Sequence, residues 1–257
     1  MKIYTLMENT ACPGGFSCEH GLSLYIETMG RRILFDAGQS GAFWDNAAKL
    51  GVDLSVVDAA ILSHGHYDHS GGLGRFLERN PTAPVYLSVE ALEPHYHDER
   101  YIGVAPELFS NPRLRLVRKN TTLFPGITLR RDLRLLRPID DGGLSMVENG
   151  IKKAEDFRHE QYLLIEEDGR QILFSGCSHR GIENIAEHFH PDVLIGGFHF
   201  SKLSPDDPRL RSAAETLKAI GCTCYTGHCT GQAQFDAMKQ ILGDQLHYLR
   251  AGTILQL

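Results

Sequence analysis

Ser63-His64-Gly65-His66-Tyr67-Asp68-His69-Ser70-Gly71-Gly72 puts four metal-capable side chains, His64, His66, Asp68 and His69, within six residues. The apolar run 59–63 precedes them and has the pattern of a buried strand. The glycine pair Gly71-Gly72 leads into a helical pattern over 73–79, which Asn80-Pro81 stops. The cluster is therefore expected on a tight loop at a sheet edge. In extended backbone, residues i and i+2 share a side, so His64 and His66 face one point. Asp68 and His69 follow a bend and can face a second. Neutral imidazoles and a carboxylate suit first-row metals. The plain alternative is a polar loop whose histidines meet only water, and its anchoring between two apolar elements argues against that.

Outward from this loop, strand patterns at 2–7, 22–28 and 32–36 and a helix at 41–50 lie upstream, and a strand at 85–88 lies just downstream. Residues 92–112, broken by Pro94, Pro106 and Pro112, read as a lid-like insertion. Residues 138–158, rich in Gly and Asp, read as a second loop. Strands at 162–166 and 171–175 flank Asp168-Gly169, a strong hairpin-turn signal. Helices at 181–188, 209–220 and 231–242 then interleave with strands at 193–195, 223–226 and 253–256. The expected architecture is one α/β domain over 1–257, with two sheets face to face and helices outside.

The 257 residues are 42% hydrophobic and 23% charged with a net charge of −6, ordinary for a globular chain and without a basic run for nucleic acid. The densest basic group, Arg130, Arg131, Arg134 and Arg137, reads as a solvated face or as a contact for an anionic substrate. No window reaches the roughly 20 apolar residues of a membrane span. Residues 1–6 lack a signal-peptide core, so a cytoplasmic setting with reduced cysteines is expected. Cys222, Cys224 and Cys229 crowd around His228, but the spacing is not that of a structural zinc site. No nucleophile elbow, P-loop or complete dinucleotide fingerprint is present, so no protein nucleophile is indicated.

His64-Gly-His66-Tyr-Asp68-His69 resembles the H-x-H-x-D-H signature of the metallo-β-lactamase superfamily, and Ile33-Leu34-Phe35-Asp36-Ala37-Gly38 resembles the strand and turn before it. Glu19-His20-Gly21-Leu22-Ser23, Phe174-Ser175-Gly176-Cys177-Ser178-His179, Ile195-Gly196-Gly197-Phe198-His199 and Gly227-His228-Cys229-Thr230-Gly231 resemble a subgroup that includes an archaeal dihydropterin-forming synthase of methanopterin biosynthesis. The resemblance implies a four-layer αββα sandwich. It also implies one or two divalent ions, with zinc expected and manganese or iron as alternatives. His179 and His228, at strand ends, are implied as further ligands.

Where the superfamily commonly has Gly-Asp, this chain has Gly176-Cys177, so either a thiolate replaces the bridging carboxylate or the metals share fewer bridges. His159, 18 residues before Cys177, is a ligand or lies beside the site, and His199 is expected behind the ligands or on substrate. His20 reads as a loop or rim residue; His95, His97, His188, His190 and His247 carry no motif. The expected assignment is His64, His66 and His179 on one metal, and Asp68, His69 and His228 on the other. Metal-bound hydroxide then hydrolyses a small ester, phosphodiester or cyclic phosphate, anionic or phosphorylated, with Asp68 passing a proton. The rivals are a dihydropterin-forming, cyclohydrolase-like reaction, a di-iron redox enzyme on the same fold, and a non-enzymatic metal-binding module.

Overall fold

The computed structural model describes residues 1–140 and 142–257. The chain divides into two compact units. The first comprises Met1–Arg118, Asp141–Gln161 and Arg250–Leu257, and the second comprises Lys119–Asp140 and Tyr162–Leu249.

The first unit carries β1 (Lys2–Met7), β2 (Ser23–Thr28), β3 (Arg31–Phe35), β4 (Ala59–Ile61) and β5 (Val85–Ser88). It adds β6 (His95–His97), β7 (Arg100–Tyr101), β8 (Leu114–Val117), β11 (Leu144–Glu148), β12 (Ile151–Ala154) and β18 (Ile254–Gln256). Its helices are α1 (Ala42–Lys49), α2 (Tyr67–Ser70) and α3 (Leu73–Arg79). The main sheet has the order β18-β1-β2-β3-β4-β5-β8, antiparallel as far as β3 and parallel from there. Long connections, through α1, through α2 and α3, and through β6 and β7, allow that change of sense, because parallel neighbours need them. Leu34, Ala60, Leu62, Phe43, Leu73 and Phe76 build its core, the side chains of α1 and α3 closing over the parallel strands.

The second unit carries β9 (Thr121–Phe124), β10 (Ile127–Arg130), β13 (Tyr162–Glu167), β14 (Arg170–Phe174), β15 (Val193–Ile195), β16 (Thr223–Thr226) and β17 (Leu246–Tyr248). Its helices are α4 (Ile182–Phe189), α5 (Pro208–Ile220) and α6 (Gln232–Leu242). The sheet order is β17-β16-β15-β14-β13-β10-β9, parallel from β17 to β14 and antiparallel beyond. Helix α5 starts where the Asp207 side chain caps Arg209 N–H and Pro208 takes the first turn, and it ends at Gly221 with φ 81°. Leu210, Leu217, Ile185, Phe189, Leu194 and Met238 are among the core residues beneath these helices.

Asp168-Gly169 forms the expected hairpin turn, with φ of 53° and 75° at its two residues, as a type I′ turn requires. The stretch 138–158 differs from its reading as a loop: β11 and β12 form a hairpin there, and Asp141 lies outside the described residues. Its turn is Asn149-Gly150, with φ of 52° and 80°. Lys152 and Lys153 on β12 keep that strand from looking buried, so composition hid it. Residues 92–112 are also less irregular than expected, because β6 and β7 join β11 and β12 in a four-stranded sheet. No helix among the described residues is long and apolar enough to cross a membrane.

Candidate metal centre

In both units the chemistry-bearing residues follow the carboxyl ends of parallel strands, where open α/β sheets place their ligands. In the first unit Asp36 follows β3 and the histidine loop follows β4. Asp36 has a left-handed backbone, φ 59°, and its carboxylate is buried. Ser63 N–H donates to its Oδ1 at 2.7 Å, and Ser63 Oγ–H donates to Oδ2 at 2.7 Å. His69 Nδ1 lies 2.7 Å from Oδ2, so a neutral His69 carries its proton there and keeps a lone pair on Nε2. Having spent its proton on Asp36, the Ser63 hydroxyl accepts from His64 Nδ1 at 2.9 Å. That leaves the His64 lone pair on Nε2. His69 Nε2 and Asp68 Oδ2 are 3.7 Å apart, close enough to share one cation. The His64 ring stands 4.2 Å from that of His69 and 4.7 Å from that of His66. Buried lone pairs with their tautomers set from behind are the donor chemistry a divalent metal requires. The exposed His20 brings Nε2 to 3.3 Å from Asp68 Oδ2, a rim position.

A second buried carboxylate supports the same loop. Glu155 Oε2 accepts from His95 Nδ1 at 2.6 Å, and Oε1 accepts from Phe157 N–H at 3.2 Å. His159 Nε2 is 3.7 Å from Oε1. Gly65 N–H donates to His159 Nδ1 at 2.8 Å, which leaves the proton of a neutral His159 on Nε2. The His95 and His159 rings stack at 4.1 Å, and His66, His95, Glu155 and His159 have ligand-capable atoms within 4.8 Å of one another. His95, which no sequence motif marked, is fully buried. A Cβ on Gly65 would lie 2.7 Å from Ala91 O and 3.1 Å from His159 Nδ1. Gly65→Ala is expected to cost roughly 1–3 kcal/mol by overpacking and to weaken zinc binding, read by urea denaturation and a competitive zinc titration.

In the second unit Cys177 and His179 follow β14, His199 follows β15, and His228 and Cys229 follow β16. Ser178, His199 and His228 take left-handed backbone, with φ of 59°, 57° and 49°. Strain of roughly 1–3 kcal/mol per such residue concentrates where side chains must be aimed. The His179 and His199 rings are 4.2 Å apart. Cys229 Sγ–H donates to the Cys177 carbonyl at 3.6 Å. Burial alone would raise the Cys229 thiol, but hydrogen bonds with Cys177 and His199 and the nearby His228 outweigh it and hold it well below the usual range. Cys222 and Cys224 pair with each other, Sγ to Sγ 3.3 Å, and among the described residues join no group of three ligands.

Two members of the basic cluster, Arg130 and Arg137, are engaged with acids. Arg130 pairs with Asp132 at 2.8 Å and, aided by Asn120 and opposed by burial, lowers that carboxyl to about 2, and Arg137 pairs with Glu187 and Glu183. Sequence reading missed the roles of His95, Glu155 and Cys229. Asp36 stood in the quoted strand-and-turn motif, but nothing local marked it as the anchor of His69.

The model of the Metallo-beta-lactamase superfamily matches residues 17–217. The chain is 30% identical, over 100% of its length and 96% of the relative's, to the 7,8-dihydropterin-6-methyl-4-(beta-D-ribofuranosyl)-aminobenzene-5'-phosphate synthase of Methanocaldococcus jannaschii. An uncharacterized protein of the same organism is 27% identical over 98% of this chain and 99% of its own. The crystal structure of Tm1679, a metal-dependent hydrolase of the beta-lactamase superfamily, matches with a TM-score of 0.87 at 31% identity, covering 100% of this chain and 99% of that one. The α/β fold class expected from the sequence is therefore borne out. By family match, full-length relatives and fold alike, this chain is a member of the metallo-β-lactamase superfamily, with the fold of its metal-dependent hydrolases.

Proposed function

We propose that the chain hydrolyses a small anionic or phosphorylated molecule, an ester, phosphodiester or cyclic phosphate, with divalent metal, zinc before manganese or iron. The observation that carries this is the pair of histidines, His64 and His69, whose Nδ1 protons are committed to Ser63 and Asp36. In the proposed assignment His64, His66 and His179 hold one cation and Asp68, His69 and His228 the second. Zinc held there by neutral imidazoles would lower the pKa of a water to about 7 and would polarise the bond under attack.

The chain's own residues orient and move protons. Asp68, 3.7 Å from His69 Nε2 and 3.3 Å from His20 Nε2, hands a proton to the leaving group. Asp36 and Ser63 keep the two imidazoles in their tautomers. Through Gly65, His159 braces the loop backbone between His64 and His66. Lys202, exposed on the loop after β15, is a candidate for contact with a substrate anion.

A second reading takes the reaction class of the archaeal synthase, supported by 30% identity across the whole chain. Metal analysis of protein purified without added metal, then assays on phosphodiesters, lactones and a cyclic GTP-derived pterin, separates the two. Turnover of simple phosphodiesters or lactones supports hydrolysis, and turnover confined to the pterin supports the second reading. Metal-free protein that gains no activity with zinc, manganese or iron overturns both.

A further inference from the structure

We propose that Cys177, His199 and Cys229 form a further site, beyond the six ligands assigned above, for a soft, thiophilic cation, of the chemical class of zinc, cadmium or cuprous ion. The three residues follow the carboxyl ends of adjacent parallel strands β14, β15 and β16, whose register pairs Ile172 with Val193 and Val193 with Thr223. One ligand atom from each lies within 4.8 Å of the others. Cys177 and Cys229 are buried, while His199 is half-buried, so the site has one open side.

The backbone makes room for this meeting. Gly197 N–H donates to the Gly176 carbonyl at 2.8 Å, drawing the loop after β15 against the loop after β14. A Cβ on Gly197 would sit 2.3 Å from Cys229 Sγ, so any side chain there expels the sulfur. His199 reaches the group from a left-handed backbone, φ 57°, that only local compensation maintains.

Charge decides what would occupy it. Two thiolates and a neutral imidazole around a divalent ion sum to zero, which permits burial that separate charges would forbid. Sulfur and imidazole donors select soft or borderline metals over magnesium or calcium, and three ligands leave a fourth position for water or another small ligand. The other buried cluster, His66, His95, Glu155 and His159, is less suited to a cation of its own. Both Glu155 oxygens already accept hydrogen bonds, and His159 spends its lone pair on Gly65 N–H.

The test titrates reduced apo-protein with cobalt and follows thiolate-to-cobalt charge-transfer absorption in the near ultraviolet. Nitrogen and oxygen ligands give no such band, and Cys177 acting alone as a ligand of the centre proposed above gives a one-sulfur band that Cys229→Ser leaves undiminished, so that variant tells the two apart. Wild type is expected to show a two-sulfur band, and Cys229→Ser about half its intensity, since each thiolate contributes separately. Cys229 is buried, so His199→Gln provides a second reading from a half-buried position. It is expected to keep the band but bind cobalt roughly tenfold or more weakly, at least the cost of losing an outer partner. No band in wild type at saturating cobalt, an undiminished band in Cys229→Ser, or unchanged affinity in His199→Gln overturns the proposal.

Discussion

Asp68→Ala is expected to lower turnover by roughly 10²–10⁴-fold, the usual worth of a positioned proton donor or acceptor, and to lower metal content as well. Asp68 is buried, and its carboxylate stands 3.7 Å from His69 Nε2. Removing it deletes both a ligand atom and a proton carrier. Two measurements separate the losses: metal per chain after dialysis, and turnover at saturating metal. Restored metal with turnover still low assigns the proton role to Asp68. Restored turnover with excess metal leaves it a ligand alone. His66→Ala is the companion variant, expected to lose metal first. If both variants kept wild-type turnover and metal content, the proposed ligand set would be wrong.

Asp36 carries the second large effect. Its carboxylate collects three hydrogen bonds, from Ser63 N–H, Ser63 Oγ–H and His69 Nδ1, all at 2.7 Å in a buried position. Asp36→Ala leaves those donors without an acceptor and is expected to destabilise the fold by about 3–5 kcal/mol, the cost of removing one side of a buried charged pair. Urea denaturation reads it directly. Asp36→Asn is the sharper test, because an amide keeps the shape and changes only the protons. Its NH₂ group turned toward His69 forces Nδ1 to accept, moving the ring proton to Nε2 and removing the lone pair meant for a metal. Turned the other way, it opposes Ser63 N–H. A 10–100-fold loss of zinc affinity with a folded protein is expected, as for other partners behind metal ligands. An Asn variant that binds zinc as tightly as wild type would show that the His69 tautomer is not held by Asp36.

Glu155 predicts a smaller change of the same kind. Glu155→Gln must present its NH₂ either to His95 Nδ1 or to Phe157 N–H, both now donors. The expected outcome is a loss of stability of about 1–3 kcal/mol from the mismatched buried group, again read by urea denaturation, with His159 losing its place beneath Gly65.

The histidine loop and most of the strands and helices were legible along the chain because their signals are local. Four metal-capable side chains in six residues state their chemistry without reference to anything distant. Asp168-Gly169 marks a turn because the backbone there needs two positive φ angles. The same physics at Asn149-Gly150 went unread, since Lys152 and Lys153 mask the strand that follows. Beyond the placing of His159 as a ligand or beside the site, which contacts surround the loop was not legible. His95 meets Glu155 across 60 positions, Gly65 meets His159 across 94, and His69 meets Asp36 across 33. Those meetings depend on strand order and register, which no periodicity encodes. The residue types of the loop were set by sequence alone. The nitrogen of His64 or His69 left free to act was decided only once folding brought Ser63 and Asp36 to the other side of each ring.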